Sequence, residues 1–173
     1  MVWNNIIVMS LVYLRTSDDN VLLGLKLKGH GVGFWNGVGG KREEGESAWR
    51  CAVRETLEET GYAVDKGGMD KIAVLMFHME HATMLVHVFE ARNFYKVAEP
   101  TSDELELKWF PISDLPIELM WPDDEHWLEM ALSGTKLVGS FQYKALHGDD
   151  EPETLTSWMV VPVKEFVEPN KDS

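Results

Sequence analysis

Apolar stretches rich in Ile, Val, Leu and Tyr alternate along the chain with polar stretches rich in Gly, Asp, Asn and Ser. The apolar stretches have the length and composition of β-strands. Residues 16–20 have turn chemistry, so the first two strands are expected to form a hairpin. A second hairpin is expected to close the sheet around the acidic turn 147–153. The predicted strands cover residues 6–14, 21–25, 71–79, 83–91, 105–110, 137–146 and 154–163.

Two segments have helical patterns instead. Ser47 is a suitable N-cap and Gly61 a suitable C-cap, which predicts a helix over 48–60. A second helix is predicted over 124–132, and Pro111 begins a turn into a short helix. The mixture predicts an α+β fold.

Length and composition limit the class of protein. A chain of 173 residues fits one domain, expected over 1–164, with a polar tail at 165–173 that frays. Hydrophobic residues make up 45% and charged residues 26%, the usual balance of a globular protein. The apolar runs are too short for a membrane helix, and no secretory signal is apparent. The single cysteine, Cys51, suits a reducing compartment, so a cytoplasmic protein is expected.

The formal net charge of −13 limits the classes of partner that the protein is expected to bind. An acidic surface repels polyanions, so neither nucleic acid nor a membrane is expected as a partner, and no obligatory protein partner is evident. A small anionic substrate remains compatible if divalent cations or local Lys and Arg offset the carboxylates.

The first predicted helix carries an acidic face. Glu55, Glu58 and Glu59 lie at positions i, i+3 and i+4, within an arc of about 100°. Trp49, Val53 and Leu57 are expected to dock a different face on the sheet. Like charges this close repel one another, and Mg²⁺ would remove the penalty because it prefers oxygen ligands. A solvated acidic face is the alternative.

The residues on either side of this acidic face favour the metal-binding interpretation. The sequence from Gly40 to Tyr62 resembles the Nudix box, and its departure is Thr56, where an aliphatic residue is usual. The resemblance implies a mixed β-sheet sandwiched between helices (α/β/α). It also implies a structural ion pair between Arg54 and Glu46. Cleavage of a nucleoside diphosphate derivative with bound Mg²⁺, or Mn²⁺ as a substitute, is expected. The implied metal ligands are Glu55, Glu58, Glu59, Glu104 and the backbone carbonyl of Gly39 or Gly40.

A second resemblance lies outside the box. Several segments are similar to the MutT-type branch that hydrolyses oxidised purine nucleoside triphosphates, and the similarity continues weakly through 139–143. They are 20–24, 29–33, 35–41, 102–104 with 109–110, and 120–124 with Trp127. It implies hydrolysis of substrates such as 8-oxo-dGTP or 2-hydroxy-dATP to the monophosphate and pyrophosphate, which sanitises the nucleotide pool. Glu58, Glu59 and Glu104 are the implied catalytic residues. The implied substrate-binding residues are Asn36, Trp121, Asp123, Asp124, Lys26, Ser10, Met84, Gly39, Gly40 and Lys41.

The chemistry of these side chains is suitable. An indole face stacks on a purine, carboxylates accept hydrogen bonds from a guanine-type edge, and an amide suits the opposite edge. If one aspartate were protonated, it could also donate a hydrogen bond, which would let one pocket read two bases.

Alternatives remain for these residues. Asp123 and Asp124 could cap the following helix, and Trp121 could be core. His30 is interpreted as an altered pocket rim. The substrate could instead be ADP-ribose, a dinucleoside polyphosphate or a capped RNA end. A Nudix domain without catalysis would be expected to lack one or more of the metal carboxylates.

Overall fold

The computed structural model describes residues 5–144 and 154–166. The predicted acidic turn and residues 167–173 lie outside this part of the chain. No helix among the described residues is long and apolar enough to cross a membrane. The strands are β1 (Asn5–Leu14), β2 (Asn20–Lys26), β3 (Trp35–Asn36), β4 (Tyr62–Val64), β5 (Met69–His78), β6 (Ala82–Ala91), β7 (Phe94–Lys96), β8 (Leu105–Pro111), β9 (Leu137–Lys144) and β10 (Thr154–Pro162); the α-helices are α1 (Ala48–Thr60) and α2 (Asp124–Leu132).

A five-stranded mixed sheet forms the centre, in the order β1-β6-β5-β9-β10. The pairs β1–β6 and β5–β9 are parallel, whereas β5–β6 and β9–β10 are antiparallel. A three-stranded sheet has the order β3-β2-β8, and β4 pairs with β7. The short strands β3, β4 and β7 were not predicted because two or three residues carry no clear alternation.

The first predicted hairpin is wrong. β1 pairs with β6, β2 pairs with β8, and β1 and β2 share one isolated bridge between Arg15 and Val21. Val12, Tyr13 and Leu14 are fully buried in succession, as expected of a strand covered on both faces. The closing hairpin is confirmed for the described parts of β9 and β10.

The two helices cover opposite faces of the central sheet. Val12 and Leu14 pack in one apolar cluster with Ala52 of α1. Tyr13 packs in a second cluster with Trp127 and other residues of α2. Since alternate residues of β1 belong to different clusters, the expected α/β/α layering is confirmed.

Helix α1 has the expected ends, and Trp49 and Val53 dock as expected, but Leu57 does not. Ser47 Oγ accepts from the backbone N–H of Arg50 (3.2 Å), and Gly61 has a left-handed φ of 70°. Leu57 is 40% exposed, whereas Thr56 is fully buried. The docking face is therefore rotated towards Ala52 and Thr56, which pushes Leu57 out and brings Glu59 inward.

Candidate active site

One cavity of about 200 Å³ is lined by residues from α1 and from the segment that begins α2, together with several strands. It gathers residues from β1, β2, β3, β6, the loop before β3, and the segment that begins α2. The predicted site residues that line it are Ser10, Lys26, Asn36, Gly39, Glu59, Met84, Trp121, Asp123 and Asp124. Gly40, Lys41, Glu55, Glu58 and Glu104 are not among the residues that line the cavity.

The two neighbouring aspartates are buried at the cavity, with 3% of Asp123 and 2% of Asp124 exposed. The two oxygens of Asp123 accept from Trp127 Nε1 (2.8 Å) and from the Tyr143 hydroxyl (2.6 Å). Asp124 Oδ2 accepts from the backbone N–H of Trp121 (3.0 Å). Neither carboxylate caps α2 in the usual forward direction, so the capping interpretation is wrong.

The surroundings of the two carboxylates differ. Burial and the neighbouring charge of Asp123 raise the pKa of Asp124 well above its usual value. Burial also raises the pKa of Asp123, but the hydrogen bonds from Tyr143 and Trp127 oppose this rise. Two adjacent buried carboxylates do not both ionise readily, so a proton is held more easily by Asp124.

Two neighbouring hydrogen-bond donors fix the orientation of the Asn36 side-chain amide. Its Oδ1 accepts from the backbone N–H of Gly37 (2.8 Å) and from the Tyr13 hydroxyl (3.2 Å). Because a backbone N–H can only donate, the atom facing Gly37 is the oxygen. Asn36 therefore offers its amide nitrogen, a donor, to a ligand.

An aromatic group surrounds Trp121 at the rim. Phe34 is stacked on its ring with centroids 4.8 Å apart, and the His30 ring is tilted at 5.1 Å. Gly31 lies between them with a left-handed φ of 82°, and a Cβ there would come within 2.8 Å of the indole. His30 thus lies at the cavity, and Trp121 is one of its walls rather than plain core.

Sequence reasoning missed Phe34, Tyr13 and Tyr143 at this site. Phe141 and Tyr143 share a face of β9, so their alternation could have identified that face. The contact between Tyr143 and Asp123 could not be predicted, because it joins residues from separate elements.

On α1, the guanidinium of Arg54 forms ion pairs with several nearby carboxylates. Arg54 makes a bidentate ion pair with Glu46, with distances of 2.9 and 3.0 Å. Its Nη1 also donates to Glu55 (2.8 Å) and Glu58 (3.2 Å). The predicted Arg54–Glu46 pair is present, and Arg54 additionally offsets two of the three charges on the acidic face.

Glu59 is the acid of α1 that reaches the cavity, and it is 7% exposed. Its Oε2 accepts from the backbone N–H of Gly39 (2.8 Å). Burial, with the charges of Glu55 and Glu104, raises the pKa of Glu59 to about 7. Gly39 has a φ of 154°, and a Cβ there would lie 2.1 Å from the carbonyl oxygen of Ser10, so only glycine allows this approach.

The remaining predicted residues lie beside the cavity. Glu104 makes an ion pair with Lys26 (2.6 Å). Gly40 lies against the Glu55 carboxylate, and its carbonyl oxygen accepts from the backbone N–H of Ser10 (2.9 Å). Lys41 is exposed, and it is not among the residues that line the cavity.

The carboxylates of α1 are not drawn together into one cluster. In residues 5–144 and 154–166, no three His, Cys, Asp or Glu side chains are placed to hold a metal ion jointly. Arg54 accounts for this, because it attracts Glu55 and Glu58 towards itself. The donor set nevertheless fits a hard cation: every ligand is oxygen, and buried Glu59 has a pKa that a nearby cation would lower.

The fold and site define a class of protein in which an acidic helix borders a cavity of about 200 Å³. Comparison with known families identifies it: the NUDIX domain family model matches residues 7–131. The chain belongs to the Nudix family, whose members generally need divalent cations.

Curated relatives support the assignment. The chain is 36% identical over 156 residues to the mouse "Oxidized purine nucleoside triphosphate hydrolase", covering 88% of this chain and 94% of the relative. The zebrafish protein of the same name is 40% identical over 133 residues, covering 76% and 83%. The solved MutT protein from Bacillus halodurans shares the fold, with a TM-score of 0.71, 23% identity, and coverage of 89% and 97%.

Proposed function

We propose that this protein hydrolyses oxidised purine nucleoside triphosphates to the monophosphate and pyrophosphate, and so sanitises the nucleotide pool. The observation that carries the proposal is that Glu59 of the acidic helix and the Asp123–Asp124 pair line the same cavity. One cavity therefore contains both the aspartate pair that can bind a base and the glutamate that can take part in phosphate chemistry. The names of the mouse and zebrafish relatives support the same substrate class.

The base is recognised by Asn36, Asp123 and Asp124. The amide nitrogen of Asn36 donates, Asp123 accepts, and protonated Asp124 can do both. The two carboxylates are buried, so a base that leaves one of them without a partner loses about 1–3 kcal/mol of binding. Trp121 and Met84 form apolar walls for the ring, and Ser10 lies beneath them.

Phosphate chemistry takes place beside α1. We assign Mg²⁺, with Mn²⁺ as a substitute, to Glu55, Glu58, Glu59 and Glu104 together with the carbonyl of Gly39. Gly39 is preferred over Gly40 because the Gly40 carbonyl already accepts a backbone hydrogen bond. When bound, the metal would offset phosphate charge and supply an activated water.

The protein's own groups position the substrate there. Lys26 lines the cavity next to Glu104, so its ammonium can bind the sugar or phosphate end. Arg54 keeps Glu55 and Glu58 in place through Glu46. Lys41 is assigned a phosphate contact at the outer rim, since its side chain is exposed.

We further propose that residues 1–164 form one domain with a tail at 165–173, since β9 and β10 extend the sheet of the matched region. A small nucleotide is the expected partner, without nucleic acid, a membrane or an obligatory protein. A cytoplasmic location is supported by Cys51, a free and buried thiol.

The test is steady-state kcat/KM for 8-oxo-dGTP and dGTP in parallel, with Mg²⁺ and pyrophosphate detection. A strong preference for the oxidised base is expected. If neither is hydrolysed while ADP-ribose or a dinucleoside polyphosphate is, the substrate class is wrong. Glu59→Gln serves as the inactive control for contaminating pyrophosphatases.

A further inference from the structure

Tyr143 stands apart from the apolar residues around the cavity, because its hydroxyl makes two hydrogen bonds to one aspartate. It accepts from the backbone N–H of Asp123 (3.2 Å) and lies 2.6 Å from Asp123 Oδ1. The N–H can only donate, so the phenolic proton is free to point at Oδ1. The hydroxyl is therefore a donor to the carboxylate.

The second oxygen of Asp123 is fixed in the same way. Trp127 Nε1 carries one hydrogen and no lone pair, so it can only donate to Oδ2 (2.8 Å). With a donor on each oxygen, the charged form of Asp123 is favoured over the protonated form. A protonated Asp123 would leave Tyr143 or Trp127 facing an O–H, and both lie in the buried interior.

Asp124 has the opposite environment. In the described part of the chain its carboxylate has one hydrogen bond, which Oδ2 accepts from the backbone of Trp121. Oδ1 is thus available to carry a proton. The nearby ring of Tyr13 on β1 is buried, and His126 on α2 favours the charged form of Asp123.

We propose that the Tyr143 hydroxyl keeps Asp123 as the carboxylate and leaves the shared proton on Asp124, so that the pocket presents one fixed pattern and selects a guanine-type base. This inference rests on the proposed function. Tyr143 is a positioning residue, because it acts on the base through Asp123.

A protonated Asp124 beside a charged Asp123 matches one order of hydrogen-bond donors and acceptors along a purine edge. A guanine-type edge has a 6-oxo acceptor followed by N1–H and 2-amino donors. Protonated Asp124 can pair with the oxo group and N1–H, and charged Asp123 accepts from the amino group. A 2-hydroxyadenine base in its oxo form has the acceptor at position 2 and the amino donor at position 6, which reverses the order. Serving it would require a proton on Asp123.

The experiment compares kcat/KM for 8-oxo-dGTP and 2-hydroxy-dATP at pH 7 in the wild type and in Tyr143→Phe. We expect the wild type to prefer 8-oxo-dGTP, and the preference to fall by about fivefold or more in Tyr143→Phe, mostly through KM. Tyr95→Phe is the matched control, because it removes an exposed phenol hydroxyl on β7; its ratio should equal that of the wild type.

A double-mutant cycle separates this role from a packing role. Asp123→Asn places an amide donor where the carboxylate accepts, so it should shift preference towards 2-hydroxy-dATP. In that background Tyr143→Phe should leave the ratio unchanged, whereas a packing effect would persist. An unchanged ratio in folded Tyr143→Phe, or an additive cycle, overturns the inference. Activity on neither triphosphate in the wild type overturns the proposed function instead.

Discussion

The two groups of acidic side chains in this protein have different surroundings. Asp123 and Asp124 are almost fully buried and receive donors from Tyr143, Trp127 and the backbone. Glu55 and Glu58 of α1 are held by Arg54, whereas Glu59 accepts from the backbone N–H of Gly39. The chain itself completes the aspartate pair, whereas Glu59 at the cavity has no ion-pair partner among the described residues.

This difference assigns the two groups separate tasks. A pair that is already hydrogen-bonded in the free protein can discriminate bases without rearrangement. A set of glutamates that repel one another is suited to a cation and to phosphate. Variants in one group should therefore affect base choice, and variants in the other should affect turnover.

The largest expected effect is on turnover. Glu59→Gln should lower kcat by about 100-fold or more, because it removes the charge of the helix acid that lines the cavity. The melting temperature should not decrease, since the amide is nearly isosteric and avoids burying a charge. Near-normal turnover in this variant would break the assignment of phosphate chemistry to α1.

A pH titration of stability should reveal the same residue. The folded-state pKa of Glu59 is about 7, above its ordinary value, so its contribution is fully present below about pH 4.5 and is lost as pH rises through 7. In EDTA the wild type should lose about 3 kcal/mol across this window relative to Glu59→Gln. The measurement is the difference in unfolding free energy between the two proteins at each pH. The other buried acids contribute equally to both proteins, so their contributions cancel in this difference. Parallel curves would contradict the prediction.

Asn36→Ala should affect recognition rather than chemistry. Loss of the amide removes one donor to the base and leaves the Tyr13 hydroxyl without its partner. KM for 8-oxo-dGTP should rise about 10-fold, equivalent to about 1.4 kcal/mol, with kcat nearly unchanged. If kcat fell and KM stayed constant, the separation between the two groups would fail. Asn20→Ala serves as the control, because Asn20 begins β2 and does not line the cavity.

The smallest effect concerns how α1 is held. Thr56 is fully buried, and no described residue hydrogen-bonds to its Oγ1. Thr56→Val replaces this hydroxyl with a methyl of similar size and should stabilise the protein by about 1 kcal/mol. Chemical denaturation measures the change, and kcat should stay constant. Destabilisation would mean that the hydroxyl has a partner in solution.

Much of this architecture could be predicted from local pattern. The boundaries of α1 follow from Ser47 and Gly61, which cap its two ends. The family resemblance identified the residues that meet at the cavity, including Asn36 and Trp121.

Pairing between distant elements could not be predicted in this way. A turn after β1 suggests a hairpin, but burial on both faces directs β1 to β6, about 75 residues away. The rotation of α1 that exposes Leu57 depends on the sheet beneath it. The hold of Arg54 on Glu55 and Glu58, and of Tyr143 on Asp123, depends on contacts that local periodicity does not encode.

The most direct test of two separate tasks in one cavity is nucleotide binding without catalysis. Tryptophan fluorescence would measure the Kd of 8-oxo-dGMP and dGMP for the wild type and Glu59→Gln in EDTA. We expect the two proteins to have the same Kd for each of the two nucleotides, because base binding at Asn36, Asp123 and Asp124 requires neither the Glu59 charge nor a cation. Loss of discrimination in Glu59→Gln would show that base reading depends on the acidic helix, and would contradict the account.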